Sequence, residues 1–435
     1  MSHRQRKSVA LFGVPFDNVT MREAVDLIEK QIDERGFHQV ATANLDFVMN
    51  AISDKALQRS LCGCDLIVPD GMPIVWASHL MGTKLKERIA GVDLIPHLAE
   101  LSCRRGYGIY LLGASEDNSR RAAELLVQRF PGLRIVGRHS PPVAPIGKMD
   151  HDSILARIER ARPDILLVAM GHPKQEQWLA ANRHRLNVPL CMGIGGSLDI
   201  IAGTLSRAPV WMQTTGLEWF FRFCQEPTRL GRRYGKDAYG LIRHLPPQFA
   251  ATAIQPRRAS VPAITVWKLV NARVISIDGD LTTSLLAELD AHIALAIHEE
   301  RHVILDLAKA AYIGPDAIAS LLHSAIELNG NNRQLLLAEI PNHLRRVLDS
   351  AQLKHCFVTS PSVPDAVYRI NKDESRLPSE LVAMSGHASV ARSVHVQVEM
   401  LKDFCERIIA VSHSPQFLFD PRSGATTSQS TVGIS

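Results

Sequence analysis

Asp65-Leu66-Ile67-Val68-Pro69-Asp70-Gly71-Met72-Pro73 is the stretch on which the fold turns. An apolar run bounded by Asp and Pro predicts a short buried strand, Asp-Gly-Met-Pro breaks it, and helical spacing resumes over residues 74–81. Asp70 therefore stands just past a strand's carboxyl end, on the loop into a helix, where open α/β sheets bind ligands. Upstream, Val40-Ala41-Thr42-Ala43-Asn44 predicts a second strand end, carrying a hydroxyl and an amide with no charge. A carboxylate beside two neutral hydrogen-bonding groups suits the deprotonation of a substrate hydroxyl. Read locally, Asp-Gly is also a common turn, so the rest of the chain has to decide.

Outward from that stretch, strand-like runs recur at residues 9–14, 39–42, 108–112, 134–137, 165–169 and 189–192. Amphipathic segments separate them at 22–34, 94–104, 119–130, 154–161 and 175–185, the first opened by a Thr20/Glu23 capping box. Strand alternating with helix predicts a mostly parallel sheet covered on both faces. Several of the predicted strand ends carry small residues. Leu112-Gly113-Ala114-Ser115 leads into a helix, where a glycine lets amides approach a phosphate; Gly193-Ile194-Gly195-Gly196-Ser197 fits either such a loop or tight packing. Gly171-His172-Pro173-Lys174-Gln175-Glu176 places Pro173 at a helix's first position, with Lys174 and Gln175 among unpaired amides. Such a loop holds an anionic or sugar group, or is simply a well-capped helix.

At 435 residues the chain exceeds one ordinary core. Its 46% hydrophobic and 21% charged content describes a globular protein. No run approaches the roughly 18 apolar residues of a spanning helix, and the apolar stretch behind the basic first residues is too short for a secretory signal. Seven scattered cysteines, with only Cys62 and Cys64 close-set, predict reduced thiols in a cytoplasmic protein and no zinc site. The net charge of +5 is mild but uneven. Residues 222–244 carry six Lys/Arg against Glu226 and Asp237, just after the aromatic run Trp219-Phe220-Phe221-Arg222-Phe223. Rings and cations together suit an anionic membrane surface, and arginine grips diphosphates bidentately. No nucleic-acid motif accompanies the patch, and a solvated basic helix remains the plain alternative.

Taken together, these stretches resemble the WecG/TagA/CpsF family of bacterial glycosyltransferases over about residues 8–245. The carrying residues are Thr42-Ala43-Asn44, Asp70-Gly71-Met72-Pro73, Glu87-Arg88-Ile89-Ala90-Gly91-Val92-Asp93, Leu111-Leu112-Gly113, the Gly171–Glu176 loop and Gly195-Gly196-Ser197-Leu198-Asp199. Arg207-Ala208-Pro209, Gly216-Leu217-Glu218-Trp219, Glu226-Pro227-Thr228-Arg229 and Arg232-Arg233 complete the match. The resemblance implies a Rossmann-like α/β core over 1–212 and a basic appendage over 213–248. It further implies an inverting, metal-independent transfer of a sugar, N-acetylmannosamine-type or another hexose, from a UDP-sugar. The acceptor implied is a polyprenyl-diphosphate-linked saccharide at the inner face of the membrane, in surface or exopolysaccharide synthesis. Asp70 is then the general base, with Thr42 and Asn44 beside it, Gln175 lining the sugar pocket, and Arg222, Arg229 and Arg232 on the diphosphate; Gly113, from its own loop, is counted with the substrate-binding residues. No cofactor beyond the donor and no nucleic acid is expected.

Residues 249–262 read as a linker. Residues 263–370 alternate strand and helix again and resemble a STAS domain. The match runs through Ile277-Asp278-Gly279-Asp280-Leu281, Val303-Ile304-Leu305-Asp306-Leu307 and Tyr312-Ile313-Gly314-Pro315-Asp316-Ala317-Ile318. Gly314-Pro315 stands where that family usually has Asp-Ser, so the phosphorylatable hydroxyl is missing. The Asp278-Gly279-Asp280 triplet has the look of a metal-binding DxD signature but reads better as a turn. Such a domain implies self-association or a protein partner. Residues 371–435 are expected to be a largely disordered tail. The rival functional reading is a non-catalytic UDP-sugar sensor signalling through the STAS-like domain; a nicotinamide oxidoreductase is disfavoured by the missing GxGxxG.

Overall fold

The computed structural model describes residues 7–257 and 261–374; the expected tail beyond 374, with its apolar-periodic stretch at 394–409, lies outside the described residues. The chain opens with β1 (Ser8–Leu11) and β2 (Val14–Asp17), an antiparallel hairpin where one strand was expected. Phe12 and Gly13 form its two-residue turn, both at positive φ (50° and 79°), the backbone that matches strand twist in tight hairpins. Helix α1 (Met21–Glu34) follows, with both halves of the Thr20/Glu23 capping box in place.

Next come β3 (His38–Ala43), α2 (Leu45–Ser53), α3 (Lys55–Cys62), β4 (Leu66–Pro69), α4 (Met72–Leu80) and α5 (Gly91–Arg105). Then follow β5 (Gly108–Gly113), α6 (Glu116–Arg129), β6 (Arg134–His139), α7 (His151–Ala161) and β7 (Ile165–Ala169). The core ends with α8 (Lys174–Asn182), β8 (Leu190–Gly193), α9 (Ser197–Ile201) and α10 (Val210–Thr214). Strands β3 to β8 make one sheet in the order β4-β3-β8-β7-β5-β6, parallel at each pairing.

Alternate residues of these strands serve different cores, which is why the runs read as continuously apolar. Leu66 and Val68 of β4 pack with Ile28, Leu94 and Leu111 on one face. Ile67 packs on the other, with Phe47, Ala43 and the hairpin residues Leu11, Phe12, Val14 and Phe16. Leu112, Leu166 and Val168 close a third cluster around Trp178.

Helix α11 (Glu218–Gln225) carries the aromatic run, and α12 (Pro227–Ala253) starts on Pro227, as the break at Glu226-Pro227 predicts. It continues to Ala253, past the appendage boundary expected at 248. Gln255, placed in the linker by sequence, is buried and exchanges two hydrogen bonds with Ile313: Nε2 to the carbonyl at 3.2 Å, and the Ile313 amide to Oε1 at 2.9 Å.

The second domain holds β9 (Ala263–Lys268), β10 (Ala272–Leu281), α13 (Thr283–His298), β11 (His302–Ile313), α14 (Pro315–Gly330), β12 (Leu335–Ala338) and α15 (Asn342–Ser350). β13 (Val358–Ser360) and α16 (Val363–Glu374) end it. Its sheet runs β13-β12-β11-β10-β9, with β9 antiparallel. One expectation is corrected here: Asp278-Gly279-Asp280 is not a turn. It lies inside β10, paired with Lys309, Ala310 and Tyr312, where a register shift accommodates Gly279 at φ 91°.

Candidate active site

Because the sheet is parallel, the loops after β3, β4 and β8 emerge at one edge. Asp70 follows β4 directly and its amide is tied to the Ala43 carbonyl at the end of β3 (3.0 Å), so the two strand ends are locked side by side. Gly71, at φ 147°, lets the chain turn sharply into α4; a Cβ there would lie 3.8 Å from that of Asn44. A Cβ on Gly91, which opens α5, would stand 3.1 Å from Thr42 Oγ1 and 3.7 Å from Ser197 Oγ. Thr42, Asn44, Asp70, Gly91 and Ser197 thus converge on the same corner.

Asp70 is half-buried. Burial pushes its carboxyl up to about 6, and the Glu218 carboxylate adds to the rise; Arg222, Arg88 and a hydrogen bond from the Gly91 amide pull the other way. A carboxylate tuned to that range accepts a proton more readily than an ordinary aspartate while remaining ionised at neutral pH.

Above it lies an ionic cluster that sequence reasoning quoted but did not assign. Arg88 reaches Asp93 (3.2 Å) and Glu218 (3.1 Å), and Arg207 pairs with Asp93. Glu218 also lies 3.5 Å from Arg222 and 4.0 Å from Arg207. Arg88 and Glu218 are 17% and 13% exposed, so the pair is screened far less than a surface bridge. Glu218 belongs to α11 and Arg88 to the segment before α5, so this cluster clasps the appendage to the core. Its signal was the pair of motifs around residues 87–93 and 216–219; the 130-residue gap between partners hid the contact.

The other expected site residues fall in different places. Thr42 is buried beside Gly91. Asn44 uses its Oδ1 to cap α2 through the Phe47 amide (3.2 Å), which leaves its NH2 as the group able to donate. Gln175 is buried, its Nε2 on Glu176 (2.7 Å) and its Oε1 taking the Gly195 amide (3.0 Å). It therefore fixes the loop after β8, and a direct sugar contact requires those bonds to part.

His172 stacks on Phe47, with ring centroids 3.5 Å apart, and meets Glu176 at 3.1 Å. Pro173 is the residue before α8, one position earlier than expected. Gly113 ends β5 at φ 103°, where a Cβ would lie 2.4 Å from the Ala169 carbonyl. It is four strand positions from β4, about 19 Å at the usual spacing, so its service to Asp70 is remote. Arg222 and Arg232 are exposed on α11 and α12; Arg229 lies on α12, its side chain outside the described residues.

Residues 9–254 match the model of the glycosyl transferase WecG/TagA/CpsF family. The chain belongs to that family. It is therefore a glycosyltransferase. Similar proteins include an N-acetylglucosaminyldiphosphoundecaprenol N-acetyl-beta-D-mannosaminyltransferase of Bacillus subtilis (strain 168), 31% identical over 53% of this chain and 89% of that protein. One of the same name from Staphylococcus aureus (strain MRSA252) is 30% identical over 52% of this chain and 87% of that protein.

Residues 264–359 match a STAS domain model, described as Mlab, STAS domain. A crystal structure of an anti-sigma factor antagonist from Mycobacterium paratuberculosis aligns with 26% of this chain and 98% of its own length at 16% identity, with a TM-score of 0.24. The family assignment thus covers the six-stranded core and the whole of α12, and the STAS domain follows as a fused second domain.

Proposed function

We propose that the chain transfers a sugar from a UDP-sugar to a polyprenyl-diphosphate-linked saccharide, with inversion and without a metal ion. The observation that carries this reading is Asp70: a half-buried carboxylate raised to about 6, beside Thr42 and Asn44 and beneath a three-arginine cluster. Asp70 takes the proton of the acceptor hydroxyl as that oxygen attacks the anomeric carbon. A single direct displacement inverts the configuration there. Thr42 and the Asn44 NH2 orient the sugars. The departing UDP gains negative charge, which Arg222, Arg229 and Arg232 together with helix-start amides offset, the role a metal fills elsewhere.

The relatives' printed name favours N-acetylmannosamine as the sugar and an N-acetylglucosamine-capped undecaprenyl diphosphate as the acceptor; a different hexose remains within the same chemistry. A lipid acceptor calls for a membrane surface. No described helix is long and apolar enough to cross one. Exposed Val210, Trp211, Trp219 and Phe220 beside the arginines of α11 and α12 suit peripheral attachment to anionic lipid at the inner face.

The test is a panel of UDP-sugars with a short-chain polyprenyl-diphosphate N-acetylglucosamine, reading UDP release and the anomeric configuration of the product. One donor should turn over with inversion, and Asp70→Asn should abolish transfer while UDP binding persists. UDP-sugar binding without turnover in the unaltered protein would instead support the sensor reading.

A further inference from the structure

The STAS domain is not tethered loosely behind the transferase. Helix α14 packs on β1 and β2, and α15 packs on α12. Ala10 of the hairpin is buried within the STAS core itself, with Leu321, Leu322 and Ile313. The hairpin tip is a three-way joint. The Phe12 amide donates to Gln248 Oε1 of α12 (3.3 Å), and the Gly13 carbonyl accepts from Gln58 Nε2 of α3 (3.3 Å). Gln58 Nε2 also reaches the Gln352 carbonyl in the STAS domain (3.3 Å), and a Cβ on Gly13 would lie 2.9 Å from the Ala351 carbonyl.

Helix α12 spans this joint and the catalytic edge. Its 27 residues make a rod of about 40 Å. The first half bears the arginines and is held to α2 by Arg233 on Asp46 (3.7 Å) and Lys236 on Asn50 (2.6 Å). Pro246 and Pro247 then fall inside the helix. Each removes a backbone donor, so the rod is weakest there and does not stay straight unaided. Directly beyond the prolines sit the anchors: Gln248 on the hairpin tip, Ala251 against the STAS core, and Gln255 bonded twice to Ile313 at the end of β11. Gln248 and Gln255 are both buried. A second line runs from the hairpin to the base, because Asp17 of β2 accepts the Ile67 amide of β4 (2.8 Å), three residues before Asp70.

We propose that the STAS domain is a positioning element of the transferase: by fixing the far end of α12, directly through Gln255 and by way of the hairpin tip that Gln248 holds, it keeps the arginine-bearing half seated on α2, whose capping Asn44 borders Asp70. This rests on the reading of Asp70 and the appendage arginines as transfer machinery. The domain then acts on the site mechanically, with no phosphorylated hydroxyl needed, in keeping with Gly314-Pro315 at the start of α14.

The test uses the full-length chain with Gln248→Ala and Gln255→Ala combined, and Gln255→Leu alone as a volume-keeping second variant. Hydrogen–deuterium exchange is followed over residues 227–245, with residues 91–105 and 283–298 as internal standards for the two domains. The expected result is exchange at least tenfold faster over 227–245 with both standards unchanged, and kcat about tenfold lower with the UDP-sugar KM within about twofold. The single variant should show the same pattern, weaker. Unchanged exchange over 227–245 in the double variant overturns the proposal, and so does acceleration that appears equally at 283–298, which marks simple unfolding. Absence of any transfer by the unaltered protein would sink the proposed reaction instead, and is told apart because the exchange comparison needs no substrate.

Discussion

The acid limb of the pH–rate profile tests the Asp70 assignment most directly. Burial, with help from Glu218, holds this carboxyl near 6. The base form is then about one half of the protein at pH 6 and about one tenth at pH 5, and it saturates above pH 7. An aspartate at the ordinary 3.8 would still be about nine-tenths ionised at pH 5. The value of kcat/KM, which reports groups on the free enzyme, should therefore fall roughly tenfold between its plateau and pH 5. Asp70→Asn should lower the plateau by about 10²–10⁴ and erase the limb. The sign for stability is the opposite. With its folded value raised, the group's contribution to folding declines as pH climbs from about 3.8 to about 6 and is level outside that window. The Asn variant should accordingly be at least as resistant to urea at pH 7 as the unaltered chain. A continuous assay of UDP release from pH 5 to 8 decides the matter: a flat profile over pH 5–7, or Asp70→Asn turning over normally, would refute the reasoning.

Neighbouring charges should move that limb in opposite directions. Glu218→Gln removes a repelling carboxylate and should shift it to lower pH, whereas Arg222→Ala removes an attracting cation and should shift it higher; the same pH–rate assay reads both. Gly113→Ala should cost about 2 kcal/mol or more in a urea melt, because the position combines φ 103° with a Cβ 2.4 Å from the Ala169 carbonyl. Asp237 of α12 is pushed up to about 7 by burial and by Asp46. Its ionisation therefore weakens the fold as pH rises from about 4 to about 7, and Asp237→Asn should raise stability at pH 8 by up to about 4 kcal/mol while leaving it little changed at pH 4.

What could be read in advance followed the range of the forces involved. Continuous apolar runs such as Leu66–Pro69 and Ile165–Ala169 announce strands buried on two faces, and the Thr20/Glu23 box announces its helix, because both are local signals. Helix α2 escapes the strand-and-helix reading because Asn44 serves both as a strand end and, in Asn44-Leu45-Asp46-Phe47, as the opening of a capping sequence. The hairpin reads as one strand because the left-handed turn at Phe12, a bulky residue, has no composition cue. Asp278-Gly279-Asp280 looked like a turn because pairing with β11 overrides turn chemistry, and that partner lies some thirty residues away. Among site residues, Asp70 was visible from its strand end. The Arg88–Glu218 clasp and the commitment of Gln175 to Gly195 depend on contacts that only the folded chain brings about.

The burial of Ala10 inside the STAS core carries a practical corollary for anyone dissecting this enzyme. A chain cut at the nominal boundary between its halves would bare the outer side of the first hairpin, together with the flank of α12 around Ala251, to water. Such a fragment is expected to be sticky and short-lived, and its silence in an assay would speak of solubility before it spoke of chemistry. The dispensable-looking addition is, in this chain, half of the wall that keeps the transferase's own first strands dry.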